Sequence, residues 1–302
     1  MNRIISFLFL SLTSVMLAHS QVTSDSAPDG GGLGTSRFHM GISYGHDWKQ
    51  SVSDSYSARI TYEFLRTKHF SLIASGRYVL SETSFSEADI SYSHNPAAIN
   101  MNGSHSLGQI GLTASFRTKL FDKPFVGAAI INSDWGAGGF AKVSSIVMGM
   151  IMLRSDKDTQ FGIGPMFLIN TNGKLPGLIA FMYRHRFNDR WLINLSGGLF
   201  AMEYSPSKKD ILSMGFDINA KSFYFQPKTE DLPDKLKFMS VSFRPLLKYS
   251  RNIIDNLKLD VKAGASINIV NRINGMTGTK RYMECHQQTA YPFIQVGASY
   301  AF

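Results

Sequence analysis

The sequence has few charged residues, a single cysteine and few long apolar runs. Only 18% of its 302 residues are charged, whereas about 25% is usual in soluble domains. Beyond the N-terminal region, no stretch is apolar enough to be a membrane helix, which needs about 20 residues. Low charge without such runs is expected of alternating strands in a membrane. It is equally expected of a large buried β-sandwich, so composition leaves both open.

Several kinds of chemistry lack their sequence signals. Cys285 is the only cysteine, which excludes an internal disulfide, and no catalytic motif surrounds it. The eight histidines are scattered, and neither a phosphate loop nor a dinucleotide fingerprint is present. We therefore expect no metal site and no cofactor. The formal charge of +9 favours an anionic surface or acidic ligands, and we expect no nucleic-acid partner because the chain is predicted to be exported.

The N-terminus has the features of an export signal. Arg3 precedes an apolar core from Ile4 to Leu17, and Ala18-His19-Ser20 fits the small-residue cleavage rule. We predict a signal peptide over residues 1–20, a flexible periplasmic leader over 21–35 and one domain over 36–302.

From Ser36 onward the dominant pattern is the alternation of apolar and polar residues. Neighbouring side chains face opposite sides only on an extended backbone, so this period of two predicts β-strands. At about 10 residues many segments are long enough to cross a bilayer while tilted. The thirteen candidates are centred on 38–44, 56–64, 70–80, 110–116, 125–132, 143–153, 161–169, 178–187, 191–202, 212–220, 239–249, 257–267 and 290–302.

Short and long connections are expected at opposite ends of the sheet. Residues 121–124, 155–158 and 188–190 are short turns, whereas 82–104, 203–210, 226–235 and 272–289 are predicted to be long connections. A barrel with both termini in the periplasm has an even number of strands. A count of thirteen strands is odd and therefore wrong. If the short turns are periplasmic, the missing or surplus strand lies between Glu203 and Lys237. We predict about twelve strands, with fourteen as the alternative if that region hides another strand.

The apolar face of such long strands must be covered. Lipid can cover it only if every backbone polar group is paired, and a closed antiparallel barrel is the sheet that achieves this. Aromatic residues near segment ends fit the interfacial belts of a membrane barrel. The segment ends concerned carry Tyr44, Trp48, Tyr62, Phe64, Phe181, Tyr183, Phe187, Trp191, Tyr291 and Phe293. The competing interpretation, a soluble periplasmic β-sandwich, stays open.

The C-terminal segment carries a family resemblance. Residues 291–302 end on Phe302 with apolar residues at every second position before it, namely Ile294, Val296, Ala298 and Tyr300. This resembles the last strand of Gram-negative outer-membrane β-barrel proteins, among which the chain is similar to an uncharacterised class of roughly 300 residues. The resemblance implies location in the outer membrane, contact with its lipid, and recognition of these five residues by the barrel-assembly machinery. It implies no activity.

The polar face of the stronger strands is predicted to line the lumen. Seven basic residues would point inward, namely Arg59, Arg77, Arg117, Lys221, Arg244, Lys258 and Lys262, with three acidic ones, Glu63, Asp217 and Asp260. A cationic lumen concentrates anions. We therefore expect a non-enzymatic barrel that acts as a narrow, anion-leaning pore for small solutes, although a closed, salt-bridged interior would carry the same residues.

Two alternatives remain. The barrel could be a non-conducting anchor or assembly partner that binds through loops 82–104 and 272–289. It could also be an outer-membrane hydrolase, but His105 and Ser106 alternate across a strand and cannot cooperate directly. Asp89, His94 and His286 lie in long loops with no spacing that links them.

Overall fold

The computed structural model describes residues 37–48, 52–84, 90–93, 102–170, 177–196, 199–227, 232–276, 280–285 and 290–302. The predicted signal peptide and leader lie outside these residues. None of the described residues belongs to a helix long and apolar enough to cross a membrane.

The described chain is built of β-strands. They are β1 Phe38–Asp47, β2 Val52–Arg66, β3 Phe70–Thr83, β4 Ile90–Ser93, β5 Gly103–Leu120, β6 Lys123–Gly136, β7 Gly139–Ser155, β8 Thr159–Asn170, β9 Gly177–Arg186, β10 Trp191–Ser196, β11 Leu199–Tyr204, β12 Asp210–Phe225, β13 Leu236–Ile254, β14 Leu257–Gly275, β15 Arg281–Cys285 and β16 Tyr291–Ala301.

Fourteen of the described strands close into an antiparallel barrel. Each pairs with its sequence neighbour in the wall, β1 pairs with β16, and β14 pairs with both β13 and β16. The short strands β4 and β15 lie outside the ring: β15 pairs with the far end of β14, and β4 with β15. The predicted closed barrel is confirmed, and the strand number is the alternative of fourteen.

The expectation of about twelve strands was wrong because one segment holds two strands. The stretch 191–202 looks like a single candidate, but β10 and β11 pair with each other from Trp191↔Tyr204 to Ser196↔Leu199. Only Gly197 and Gly198 separate them. The hidden strand therefore begins just before the region to which the parity argument pointed.

Short turns gather at the end of the barrel that carries both termini of the ring. The turn between β5 and β6 consists of Phe121 and Asp122, with φ of 51° and 59°, as a two-residue type I′ hairpin requires. Residues 156–158 and 187–190 are the other two short turns that were predicted. Residues 203–210 were expected to be a long outer connection, but they join β11 to β12 at this same end. We call this the periplasmic end and the opposite one the outer end.

The outer surface of the barrel is apolar. Exposed large side chains recur at every second residue, for example Met40, Ile42 and Tyr44 on β1, or Ile110 and Leu112 on β5. A surface of this kind is stable in hydrocarbon rather than in water. Trp48, Trp135 and Trp191 are also exposed on it. Phe293, expected in an aromatic belt, is instead buried and faces inward, because it pairs with Gly264 on the lumen side of the sheet.

The closed ring and its apolar exterior are the architecture of a transmembrane β-barrel, and the location in the outer membrane that the sequence predicted agrees with this fold. The alternative of a soluble sandwich is wrong, because one sheet closes on itself and leaves its apolar face outside.

Prolines coincide with interruptions or ends of strand pairing, as the missing N–H requires. The β7–β8 ladder passes from Met148↔Met166 to Ile151↔Ile163 without pairing Pro165. The β13–β14 ladder likewise passes over Pro245, and Pro292 is the second residue of β16. Gly164 lies beside the first interruption, where a Cβ would come within 1.8 Å of the Gly149 carbonyl oxygen.

The inner wall over β6 to β9 is packed with apolar side chains. Its buried cluster is Ala128, Ile130, Ile146, Met148, Met166, Leu168 and Ala180. Ile146, Met148, Met150 and Met152 alternate along β7 and are all buried. This accounts for the unbroken apolar run 146–153, whose two faces meet lipid and a packed lumen.

The outer part of the β12–β13 hairpin separates from β11 and crosses the lumen, while its β13 strand stays paired with β14 from Leu236↔Gly275 to Phe243↔Ile267. Beyond Phe216, β12 has no further pairing with β11 and pairs only with β13 among the described residues. Residues 217–225 of β12 and 236–243 of β13 form what we call the inner hairpin. It contacts β5 and β6 across the barrel, and the Phe223 ring stacks on His105 with 4.2 Å between centroids.

Both faces of the inner hairpin are buried. Phe223, Phe225 and Phe238 join Leu236, Ile273, Tyr282 and Met283 in one apolar cluster at the outer end. On the opposite face Tyr224 and Val241 are also at most 1% exposed. In an ordinary wall strand this second face would meet lipid, so its burial shows that the hairpin lies inside the barrel.

Candidate functional site

One row of paired residues carries most of the polar chemistry of the wall. Residues that lie directly opposite each other on the inner face connect eight strands in one row: Lys258, Ser299, Gly41, Arg59, Arg77, Gln109, Asp134 and Lys142. We call this set the basic row. It holds four cations and a single carboxylate.

The basic row climbs from one end of the barrel to the other. Lys258 is the second residue of β14, which begins at the periplasmic end, whereas Lys142 is the fourth residue of β7, which begins at the outer end. Seven steps of about 4.8 Å each give a path of roughly 34 Å along the wall. Strands in a barrel are tilted relative to its axis. A row of residues perpendicular to the strands therefore moves along that axis from each strand to the next.

Several inward-facing cations are neutralised by carboxylates. Arg244 donates from Nε and Nη2 to the two Asp217 oxygens at 2.8 and 3.0 Å, and Lys262 Nζ lies 3.6 Å from the same carboxylate. The Arg244 guanidinium also lies 4.5 Å from the centre of the Phe293 ring. Planar, bidentate pairing and stacking of this kind hold an arginine in one position.

Two further carboxylates, Asp260 and Asp47, form ion pairs with inward-facing lysines. Asp260 lies 3.1 Å from Lys248 and 3.8 Å from Lys258, and Lys221 forms an ion pair with Asp47. This half of the lumen, formed by β12, β13, β14 and β1, is therefore a salt-bridged interior.

A cavity of about 210 Å³ with excess positive charge lies between this half and the wall of β3 to β8. Five cations line it, Arg77, Lys142, Lys221, Lys237 and Arg244, against two carboxylates, Asp47 and Asp134. Asp134 is occupied by neutral donors, since it accepts hydrogen bonds from Gln109 Nε2 and from the Tyr224 hydroxyl, both at 2.8 Å. Arg77, Lys142 and Lys237 make no ion pair within the described residues.

The inner hairpin is attached to the wall at this cavity. The Tyr224 hydroxyl reaches Asp134, and Lys235 Nζ donates to the Phe140 carbonyl oxygen at 2.7 Å. Gly136 permits the close approach, because a Cβ there would lie 2.9 Å from the Cβ of Tyr224. A few polar contacts and one aromatic stack therefore connect the hairpin to the opposite side of the barrel.

The structure brings some of the residues selected from the sequence together and separates others. The seven basic and three acidic residues predicted to face the lumen all lie on the inward register, but only Arg77, Lys221 and Arg244 line the cavity. Arg117 is exposed near the periplasmic end, and Glu63 there pairs with Arg66 at 2.5 Å. The five residues of the expected assembly signal lie on β16 and just after it, where Val296 and Phe302 are exposed on the outer surface.

Other residues of the site were missed. Asp47, Asp134 and Lys142 lie within a few residues of segments that were recognised, so extending the alternation would have found them. Lys237 had no such signal. Its position in the alternation points away from the lumen of an ordinary barrel, and it lines the cavity only because the inner hairpin is folded inward.

The pair of residues considered for hydrolysis does not come together in the structure. His105 faces inward against Phe223, on the opposite face from Ser106. No group of three or more potential metal ligands occurs among the described residues. Asp89, His94 and His286 lie outside them.

The two loops expected to bind a partner meet at the outer end. β4 belongs to the 82–104 connection and β15 to the 272–289 connection, and the two pair from Met283↔Ser93 to Cys285↔Ile90. The rest of both loops lies largely outside the described residues.

Comparisons with known proteins reveal similarity to other barrels. No family model and no curated protein matches the chain. Among solved structures, an outer membrane channel from Pseudomonas putida F1 is 9% identical, with 92% of this chain and 100% of that chain covered and a TM-score of 0.41. A KdgM porin is 10% identical over 87% of this chain and 99% of its own, with a TM-score of 0.35. LpxR from Salmonella typhimurium is also 10% identical, over 87% and 100%, with a TM-score of 0.36.

Proposed function

We propose that the protein is an outer-membrane channel for small anions, with a passage that follows the basic row and an outer mouth occupied by the inner hairpin. The observation that carries the proposal is the continuity of the row, which places Lys142, Arg77, Arg59 and Lys258 on one path between the two ends. Cations along a narrow, low-dielectric passage attract anions and repel cations.

The salt-bridged half of the lumen supports this assignment by contrast. Lys221, Arg244, Lys248 and Lys262 each lie within 4 Å of a carboxylate, so their charges serve mainly to hold the wall together. Lys258, at the periplasmic end of the basic row, also shares Asp260 at 3.8 Å. The charge available to a solute is concentrated where the wall of β3 to β7 and the inner hairpin face each other across the cavity.

Planar-bilayer recording with a tenfold KCl gradient tests the proposal. We expect conductance steps whose reversal potential has the sign of chloride selectivity. The variants Arg59→Gln and Arg77→Gln should move the reversal potential towards zero. Lys157→Gln, in the exposed turn at 156–158, should leave it unchanged. Cation selectivity, or the absence of steps both in the native protein and after release of the hairpin by Tyr224→Phe, would rule out the channel.

A second candidate function rests on the outer extension. The pairing of β4 with β15 joins the two connections that were expected to bind a partner. We propose a capture surface there, carried by the barrel as its anchor. Deletion of residues 85–101 should abolish capture of a surface ligand and leave a heat-modifiable barrel with unchanged conductance. Loss of conductance with capture intact would contradict it.

A further inference from the structure

The cavity beside the inner hairpin has one cationic side and one apolar side. Arg77, Lys142 and Lys237 form the cationic side, and none of the three has an ion pair within the described residues. Lys237 and Lys142 are close enough to repel each other. Asp134 attracts Arg77 and Lys237, but one carboxylate does not balance three cations in one chamber, and the excess charge is unfavourable until an anion joins them.

The apolar side belongs to the inner wall of β5, β7 and β8. Leu107, Ile146 and Leu168 line the cavity, with Met239 from the inner hairpin. Ile146 and Leu168 also belong to the buried apolar cluster of β6 to β9, although Ser144 and Ser145 beside Ile146 line the cavity too. An inorganic anion would use only the cationic side and would leave this surface facing water.

The size of the cavity narrows the class of ligand. An apolar cavity of about 150 Å³ holds one benzene molecule, and this chamber has about 210 Å³. That volume suits a carboxylate attached to a six-membered ring or to a short alkyl chain. It is too small for an oligosaccharide or a long acyl chain to be contained as a whole.

From this geometry we propose that the chamber is a binding site for small carboxylates with an apolar body, of the size of benzoate or hexanoate. The carboxylate takes its place among Arg77, Lys142 and Lys237, where guanidinium and ammonium groups donate charge-assisted hydrogen bonds. The ring or chain lies against Leu107, Ile146 and Leu168. This site rests on the proposed channel function and extends it, since it identifies the class of solute that would bind inside the channel.

Calorimetric titration of the full chain in lipid nanodiscs tests the site, with empty nanodiscs as the blank. Benzoate and hexanoate should bind, whereas sulfate and the neutral analogue benzyl alcohol should bind at least tenfold more weakly. Arg77→Gln and Lys142→Gln should each weaken benzoate at least tenfold. The matched control Lys248→Gln removes a lumen cation that is paired with Asp260 and does not line the cavity, and it should leave the affinity unchanged.

The apolar side has its own test. Leu168→Ala should weaken hexanoate several-fold and leave any weak sulfate binding unaltered. Equal binding of sulfate and benzoate, or of benzyl alcohol and benzoate, would overturn the proposal, as would no binding at all. Binding is measured without current flow, so a site that binds benzoate in a barrel that never conducts would refute the channel alone. A chloride-selective channel that binds no carboxylate would refute the site alone.

Discussion

The ion pair between Asp217 and Arg244 gives the sharpest prediction about stability. Asp217→Asn removes the charge that two cations share, since Arg244 forms two hydrogen bonds to it and Lys262 lies 3.6 Å away. The Arg244 side chain is only 8% exposed and that of Asp217 only 15%. The variant therefore leaves a buried guanidinium without its counterion.

Breaking a buried pair costs about 3–5 kcal/mol. Asparagine still accepts one hydrogen bond from Arg244, so we expect a loss of about 3 kcal/mol in the free energy of unfolding, at the lower end of that range. Removing both partners in Asp217→Asn/Arg244→Met should recover most of the loss, because methionine can pack on Phe293 without any charge.

Guanidinium unfolding in lipid vesicles measures the effect. Trp48, Trp135 and Trp191 are exposed on the outer surface, so their fluorescence should report the loss of the lipid environment. Asp122→Asn is the matched control, because Asp122 lies in an exposed turn at a φ of 59° that asparagine accepts. A single variant within about 0.5 kcal/mol of the native protein, a size typical of unimportant surface changes, would refute the reasoning. So would a double variant less stable than the single one.

Three further predictions concern the wall, the hairpin and assembly. Gly164→Ala should cost about 2 kcal/mol or more in the same unfolding assay, whereas Gly76→Ala, with no atom within 4 Å of the added carbon, should be neutral; equal stabilities would refute the close strand approach. Tyr224→Phe removes the bond to Asp134 and should raise the open probability of the channel about fivefold in bilayer recordings, the equivalent of a hydrogen bond of about 1 kcal/mol; unchanged gating would show that the hairpin does not move. Deletion of Phe302 should reduce the heat-modifiable fraction recovered from membranes, and full recovery would contradict its role in assembly.

Much of the fold was accessible from the alternation of side chains. The inward register of Arg59, Arg77 and Lys262 followed from period two alone, because each lies on a long strand paired on both sides. The turns at 121–122 and 156–158 were likewise local features that neighbouring residues determine.

The strand number and the inner hairpin depend on contacts distant in sequence. β10 and β11 have six residues each, and together they imitate one strand of ordinary length. The end of β12 reads Phe223-Tyr224-Phe225, where the alternation is lost. The loss of alternation at these three residues reflects the burial of both faces of the strand. Which parts of the barrel cover the two faces is seen only in the closed ring. Lys237 could not be placed without that knowledge.

The most direct test of the whole account is the environment of successive residues on one wall strand and on the inner hairpin. In a Cys285→Ser background, nitroxide labels at positions 109 to 112 of β5 should alternate, with Ile110 and Leu112 accessible to oxygen dissolved in lipid and Gln109 accessible to a water-soluble nickel complex. A label at Val241 should be shielded from lipid oxygen, although its alternation alone would place it outside. Labels on β5 without alternation would contradict the membrane barrel, and a lipid-exposed label at Val241 would contradict the inward-folded hairpin that shapes its lumen.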